Sequence, residues 1–413
     1  MPDRHSRYSP SGSKRWLTCH PSLTLGEQSG IEDNGSEVAL EGTTAHTVGE
    51  SILRWLLAGG RYEILDKEDY NGFRAVIGTD TTEISKTLGS ALENVEGVCR
   101  EHAFDIHEIW FNVVGVYVST IWRQYLADKA DDPNAVLLIE QELDLGEIVP
   151  ECFGTADATI VAGNILRLFD LKYGRVRVEA FHNTQLMVYG VGDVLRNEEM
   201  FDIDQVAMTI IQPRVNNVAT YTTSRNELML WAREELRPAA ERAARCDGRL
   251  IPGDHCRYCR ALAKCPAFAA LAPAFAVQYA KPELLPDEAL SQLLGHLGSI
   301  KLWVDAVQEY AVGLAQNGHN IPGWKIVNGR GKSVIRDEAK VIADLRAAGY
   351  DDKLILRAPA LETITNLKRI LRKAKYEEFV APHVEYRDGA KTLVPENDPR
   401  DAQTPSDDFA MIQ

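Results

Sequence analysis

Asp157, Asp170 and Lys172 are the residues best placed to do chemistry in this sequence. Asp170 and Lys172 are separated by one residue. Side chains alternate along a strand with period two, so both point to one face if this segment is extended. Between FGTADATIVA and ILRLFDLK, the Gly163–Asn164 pair supplies a turn. That turn folds Asp157 back towards the Asp170/Lys172 pair. Two carboxylates and an ammonium on one sheet face suit a hard divalent cation, Mg²⁺ or Mn²⁺. Such a cation polarises a phosphoryl oxygen and acidifies a bound water. Lys172 would orient that water or stabilise charge developing on phosphate. The chemistry so described is phosphodiester hydrolysis. An Asp-x-Lys tripeptide is also an ordinary hairpin ion pair, so its surroundings decide.

A second constellation is HCRYCRALAKCPAF, where Cys256, Cys259 and Cys265 fall within ten positions. The chain has seven cysteines. Clustered thiols in a cytosolic chain point to a metal rather than to disulfides. A closed site wants a fourth ligand, and Cys19, His20, Cys246 and His255 are the candidates. Pro266 after the last thiol and an all-thiolate set favour iron–sulfur, with structural Zn²⁺ as the alternative. Cys99, Cys152 and Cys246 otherwise read as isolated thiols or small apolar residues.

These residues need elements to hold them. Residues 1–12 read as flexible, followed by a short helix from Ser11 or Ser13 through Trp16 to Cys19. Residues 26–37 read as an acidic, glycine-rich loop. Thr43 or Thr44 is read as the cap of a helix that turns Val48, Ile52, Trp55 and Leu56 inward and stops at Gly59–Gly60. His46 then sits in its first turn, with Glu50 one turn on. Two helices are expected within 81–128, although FNVVGVYVST is rich in β-formers. A strand over 135–143 feeds the 154–172 hairpin. Gln185 and Tyr189 share one face of the next helix, strands follow at 204–212 and 218–223, and a charged helix spans 224–246. This order predicts an α/β (α+β) fold, a mixed sheet flanked by helices, rather than a repeating βαβ array.

The chain is 413 residues long, 45% hydrophobic and 25% charged, as expected of a globular protein with two or three domains. No apolar run approaches the roughly 20 residues of a membrane helix. The polar start carries no apolar signal core, so a cytosolic location is expected. A net charge of −15 argues against a protein that coats nucleic acid nonspecifically, but not against a nuclease with a locally basic path.

Taken together, the pieces resemble the RecB/AddB-type branch of the PD-(D/E)XK nucleases, the branch with an iron–sulfur staple that includes the CRISPR-associated adaptation exonucleases. The resemblance covers about residues 9–270 and is nearest to uncharacterised phage and prophage proteins of this type. It rests on an early-helix His46, Gly154-x-x-Asp157, Asp170-x-Lys172, Gln185-x-x-x-Tyr189, and Cys19 with C-x₂-C-x₅-C at Cys256, Cys259 and Cys265. It implies that His46, Asp157, Asp170 and the Leu171 carbonyl ligate Mg²⁺ or Mn²⁺. Lys172 would assist the water, and Gln185 and Tyr189 would steady the site or the DNA. The four cysteines would carry a [4Fe–4S] cluster of mainly structural role. The implied activity is that of a deoxyribonuclease, an exonuclease on DNA ends or single strands in phage recombination or replication. A phage single-strand-binding or annealing protein would be its partner. A catalytically silent DNA-binding or scaffold subunit on the same fold is the alternative. The acidic connection from Cys19 to His46 is unusual beside a DNA path.

The nuclease-like region is expected to occupy residues 1–275, and a mainly helical accessory region 276–413. There, 271–286 reads as a linker and 287–316 as an amphipathic helix with Leu290, Leu297 and Val304 every seven residues. A strand is expected at Trp324–Val327, followed by a basic Gly-Arg-Gly-Lys turn without P-loop spacing. Helices are expected at 337–348 and 360–377, the second bearing Lys368, Arg369, Arg372, Lys373 and Lys375 for phosphate contact or as a solvated face. The last 25 or so residues read as a flexible tail.

Overall fold

The structure, a computed structural model, describes residues 6–31, 37–271, 287–357, 360–361 and 364–395. The chain divides into two compact units, Met1–Ser299 and Ile300–Gln413, so the division falls inside the helix Asp287–Gln316. The expected boundary at 275/276 and nearly all of the expected linker lie outside the described residues.

In the first unit, α1 (Ser13–Thr18), α2 (Ser22–Gln28), α3 (Glu37–Leu57), α4 (Tyr62–Lys67), α5 (Tyr70–Thr79), α6 (Glu83–His102), α7 (Ile106–Asn112) and α8 (Ser119–Asp131) precede the sheet. Strands β1 (Val136–Asp144), β2 (Phe153–Ala162) and β3 (Ile165–Leu171) lead to α9 (Thr184–Asn197). Then come β4 (Gln205–Gln212), β5 (Asn217–Ser224), α10 (Arg225–Trp231) and α11 (Arg237–Ala244). The five strands stand in sequence order. Only β3 and β4 are parallel, joined through α9; the other pairs are antiparallel. The fold is thus α/β, a mixed sheet between helical layers.

Each sheet face has its own core. One joins α3 and α5–α8 to Ile160, Phe169 and Leu171; the other joins α1, α9, α10 and α11 to Leu166, Leu168 and Met208. The β-forming stretch Val113–Val118 is a π-helical segment between α7 and α8. Val113, Val114 and Val118 are buried there, and packing outweighs strand propensity. Gly163 turns β2 into β3 with φ 54°, a conformation glycine adopts freely.

Two local expectations are corrected. Thr43 and Thr44 do not cap α3, which begins at Glu37; their hydroxyls donate back to the carbonyls of Ala39 and Leu40. His46 is therefore deep in the helix rather than in its first turn. Residues 6–12 are not loose either. Tyr8 and Pro10 are buried, and the Ser6 hydroxyl bridges the Glu151 carbonyl and the Phe153 N–H.

In the second unit, strands Trp324–Ile335 and Val384–Pro395 form an antiparallel ladder, and helices Glu338–Ala347 and Ile364–Phe379 build a separate small core around Val341, Leu345, Leu367 and Leu371. The expected tail thus begins later than predicted, because 389–395 is strand. Of the basic residues on the last helix, the side chains of Lys368, Arg369, Arg372 and Lys373 lie outside the described residues. On the long helix, Leu297 and Val304 of the seven-residue stripe are exposed. Among the described residues no helix is long and apolar enough to cross a membrane.

Candidate functional site

The hairpin brings Asp157, Asp170 and Lys172 together. Thr159 faces α9 through a 2.6 Å hydrogen bond to Asp193, but the alternation of β2 breaks between Ala158 and Ala156, which belong to different cores, and Asp157 between them reaches His46 on α3. Asp170 also faces α9, where the Gln185 amide donates to its Oδ1 at 3.2 Å. Lys172 reaches Asp170 Oδ1 at 3.0 Å and Oδ2 at 2.7 Å. Asp170 is 3% exposed, and its Oδ2 makes no directed hydrogen bond beyond that ion pair. The Leu171 N–H donates to Asp157 Oδ2 at 2.7 Å, fixing that carboxylate from the next strand.

From the opposite layer α3 brings His46, whose Nδ1 stands 3.3 Å from Asp157 Oδ1. Tyr189, one turn beyond Gln185 on α9, packs against Gly154. A Cβ at Gly154 would come within 3.0 Å of both the Tyr189 ring and Pro10. The glycine of Gly-x-x-Asp is thus a packing requirement between the N-terminal segment and α9. Hence His46, Asp157, Asp170, Lys172, Gln185 and Tyr189 meet at one corner of the sheet. Leu171 contributes its N–H to that corner, and its side chain is buried in the core.

Sequence reasoning missed Glu140. The β1–β2 register pairs Ile139 with Ala158 and Gln141 with Ala156, which sets Glu140 opposite Asp157. Glu140 has φ 49°, an uncommon backbone for a non-glycine residue. Here β1 changes phase: Leu137 belongs to the first core, whereas Leu143 belongs to the second. Ligand atoms of His46, Glu140 and Asp157 lie within 4.8 Å of one another. Asp170 stands outside that group, held by Lys172 and Gln185. The available signal was Glu140 directly after the apolar run AVLLI in AVLLIEQEL.

Electrostatics divide these groups. Burial works against a charge on His46, but the Asp157 carboxylate prevails and holds it up at about 9. Burial, with Asp157 and Glu50 nearby, lifts Glu140 to about 7. Asp157 is kept below the usual carboxylate range, burial being outweighed by His46 and Lys172. Burial and the neighbouring Asp157 charge push Asp170 up against the pull of Lys172.

A frame of charge fixes α3 against the end of β3. Arg214 lies 4.0 Å over the Tyr173 ring, 2.7 Å from Glu41 Oε2 and 3.0 Å from Glu108 Oε1. Glu41 is five residues before His46, and Tyr173 follows Lys172.

The thiols also converge. Cys19 ends α1, and three successive tight turns present Cys256, Cys259 and Cys265. All four line one small cavity walled by Leu25, Ile251, Pro252, Leu262 and Phe268. His255 lines it too, with its Nε2 2.8 Å from the Ile251 carbonyl, whereas His20 and Cys246 do not. Burial raises Cys19, and lifts Cys256 to about 11. Among the described residues no three thiols lie within 4.8 Å of one another. Tetrahedral Zn²⁺ with Zn–S near ~2.3 Å would need sulfurs roughly 3.8 Å apart. The N-terminal segment and the 256–265 turns are tied here by Arg15 donating to the Tyr258 carbonyl and Lys264 to the Ser29 carbonyl.

The chain belongs to the family described as "Protein of unknown function (DUF2800)", whose model matches residues 5–401. A solved structure described as "Crystal structure of SSO0001" is similar at 15% identity, covering 44% of this chain and 80% of that one, with a TM-score of 0.22. That likeness is too low to bear on fold or activity.

Proposed function

We propose that this protein is a metal-dependent deoxyribonuclease of the PD-(D/E)XK type, acting on DNA ends or single strands. The observation that carries the reading is the meeting of His46, Glu140 and Asp157 within 4.8 Å, beside the Lys172–Asp170 ion pair. One imidazole and two carboxylates match a hard or borderline divalent ion, and the imidazole favours Mn²⁺ over Mg²⁺. The under-bonded Oδ2 of buried Asp170 is a further acceptor suited to a cation. A bound ion would supply an acidified water and neutralise phosphate charge.

The chain's own residues do the remaining work. The Leu171 N–H fixes the Asp157 carboxylate, and the Gln185 amide fixes Asp170. Lys172 holds three donors on a flexible stem, one face of them turned to Asp170. Its ammonium is thus placed to orient a water or meet charge developing on a phosphate. Tyr189, partly buried one turn from Gln185, keeps its proton, because burial and the nearby Asp170 and Asp157 charges push its pKa upward.

The four thiols that line one cavity support a bound metal, a [4Fe–4S] cluster or, as the alternative, structural Zn²⁺. Such a cluster would fasten the N-terminal helix to the 256–265 turns. Cleavage of end-labelled DNA by the wild type and by Asp170→Ala tests the activity. Iron content and visible absorbance after anaerobic purification test the cluster.

A further inference from the structure

Between Lys172 and Gln185 the chain forms a loop that exposes Val176 and Phe181, each 70% accessible, with Arg175 and Arg177 beside them. Exposed apolar side chains on a loose loop would be unremarkable. This loop is not loose. Gln212, fully buried, accepts from the Val178 N–H at 2.8 Å and donates to the Val176 carbonyl at 3.0 Å. Asn217, also buried, donates to the Val178 carbonyl at 2.9 Å. Two amides from the β4–β5 turn thus pin the backbone and hold the apolar side chains out in water.

Phe181 is part of a ring cluster. Its centroid lies 4.4 Å from His182 and 5.2 Å from Tyr221 on β5, and His182 lies 5.0 Å from Tyr221. His182 takes φ 48°, at the corner where the loop enters α9. Asn183 then caps α9 by accepting from the N–H groups of Gln185 and Leu186. The rings therefore stand one helical turn before the residue that holds Asp170.

We infer that Phe181, His182 and Tyr221 form a stacking platform for an unpaired base of a single-stranded polynucleotide, with Arg175 and Arg177 facing its phosphates. The inference rests on the nuclease reading and gives it a substrate preference. A base in a duplex has its faces covered, whereas an unpaired base offers a π-face to an exposed ring. Among the described residues the ion-pair partners of the two arginines are the partly exposed Glu108 and the exposed Glu179, which a phosphate can displace. Their flexible heads and a preformed ring cluster fit a backbone-tracking, sequence-tolerant site.

The test is anisotropy of fluorescein-labelled oligothymidylate, an abasic chain of equal length and a hairpin duplex, at fixed moderate salt with chelator. Oligothymidylate should bind most tightly. Phe181→Ala should weaken it by about tenfold and leave the abasic chain unchanged. In Phe181→Trp, which keeps a ring there, oligothymidylate should bind as to wild type and quench the new indole. Equal affinity for oligothymidylate and the abasic chain, or an unaltered Phe181→Ala, overturns the platform and leaves the rings to a protein partner. Because no metal is present, binding is read apart from cleavage. Base-dependent binding without cutting in Mn²⁺ would retain the platform and remove the nuclease.

Discussion

Glu140 lies opposite Asp157 across the β1–β2 ladder, and both carboxylates converge on His46 within 4.8 Å. Two like charges in a half-buried corner repel, and a divalent cation between them reverses the sign. Glu140→Gln should therefore raise stability without metal by about 1 kcal/mol. It should also remove most of the stabilisation that Mn²⁺ confers, a gain of about 2.7 kcal/mol at a hundredfold excess over Kd. Thermal unfolding with and without Mn²⁺ reads both effects. An undiminished Mn²⁺ shift in the variant would take Glu140 out of the ligand set.

Arg214 should behave as a brace for α3. Its side chain is 8% exposed and bonds Glu41 and Glu108 while covering Tyr173. Arg214→Ala leaves Glu41 without its cation and Glu108 with Arg175 alone, and should cost about 3 kcal/mol. Arg214→Lys keeps the charge but loses the bidentate geometry and the ring contact, and should cost less. Urea unfolding of the three proteins checks the order; equal stabilities would show that the frame contributes nothing.

Stability should depend on pH through Asp193. This carboxyl is fully buried in α9, accepts from Thr159, and is raised by burial to about 7. With its Gln141 amide turned nitrogen-first, β1 also donates to it at 3.2 Å. In the unfolded chain an aspartate titrates near ~4. The folded state binds the proton more tightly, so the contribution is complete below about pH 4 and is lost as pH rises to about 7. Asp193→Asn should remove that part of the fall, a few kcal/mol, seen as a flatter profile between those limits. A slope unchanged in the variant would assign the pH dependence to other groups.

Cys259→Ser tests the thiol cavity. The variant should lose iron and visible absorbance, melt at a lower temperature and expose the N-terminal segment to proteolysis. An unchanged spectrum and melting temperature would show that the four thiols hold no cluster.

The hairpin was legible because its turn is written in Gly163–Asn164 and its face in the one-residue spacing of Asp170 and Lys172. Gln185 and Tyr189 were legible for a similar reason, since a spacing of four places both on one helical face. Glu140 was not, because a strand read by strict alternation has no place for a left-handed residue that shifts its phase. The start of α3 was misplaced because Thr43 and Thr44 satisfy their hydroxyls inside the helix instead of capping it. The Val113–Val118 segment has strand-like composition, and only its burial between α3 and the sheet makes it helical. The strand Val384–Pro395 was hidden because its partner, Trp324–Ile335, is some fifty residues away in the chain.

The central claim is tested most directly by incubating end-labelled single- and double-stranded DNA with wild type, Asp170→Ala and Lys172→Ala, in Mn²⁺, Mg²⁺ and chelator. The account predicts cutting by the wild type in Mn²⁺, weaker in Mg²⁺, absent in chelator, and abolished in both variants although they remain folded. A folded, metal-loaded and iron-loaded wild type that leaves every strand intact would contradict it and favour a DNA-binding subunit without catalysis.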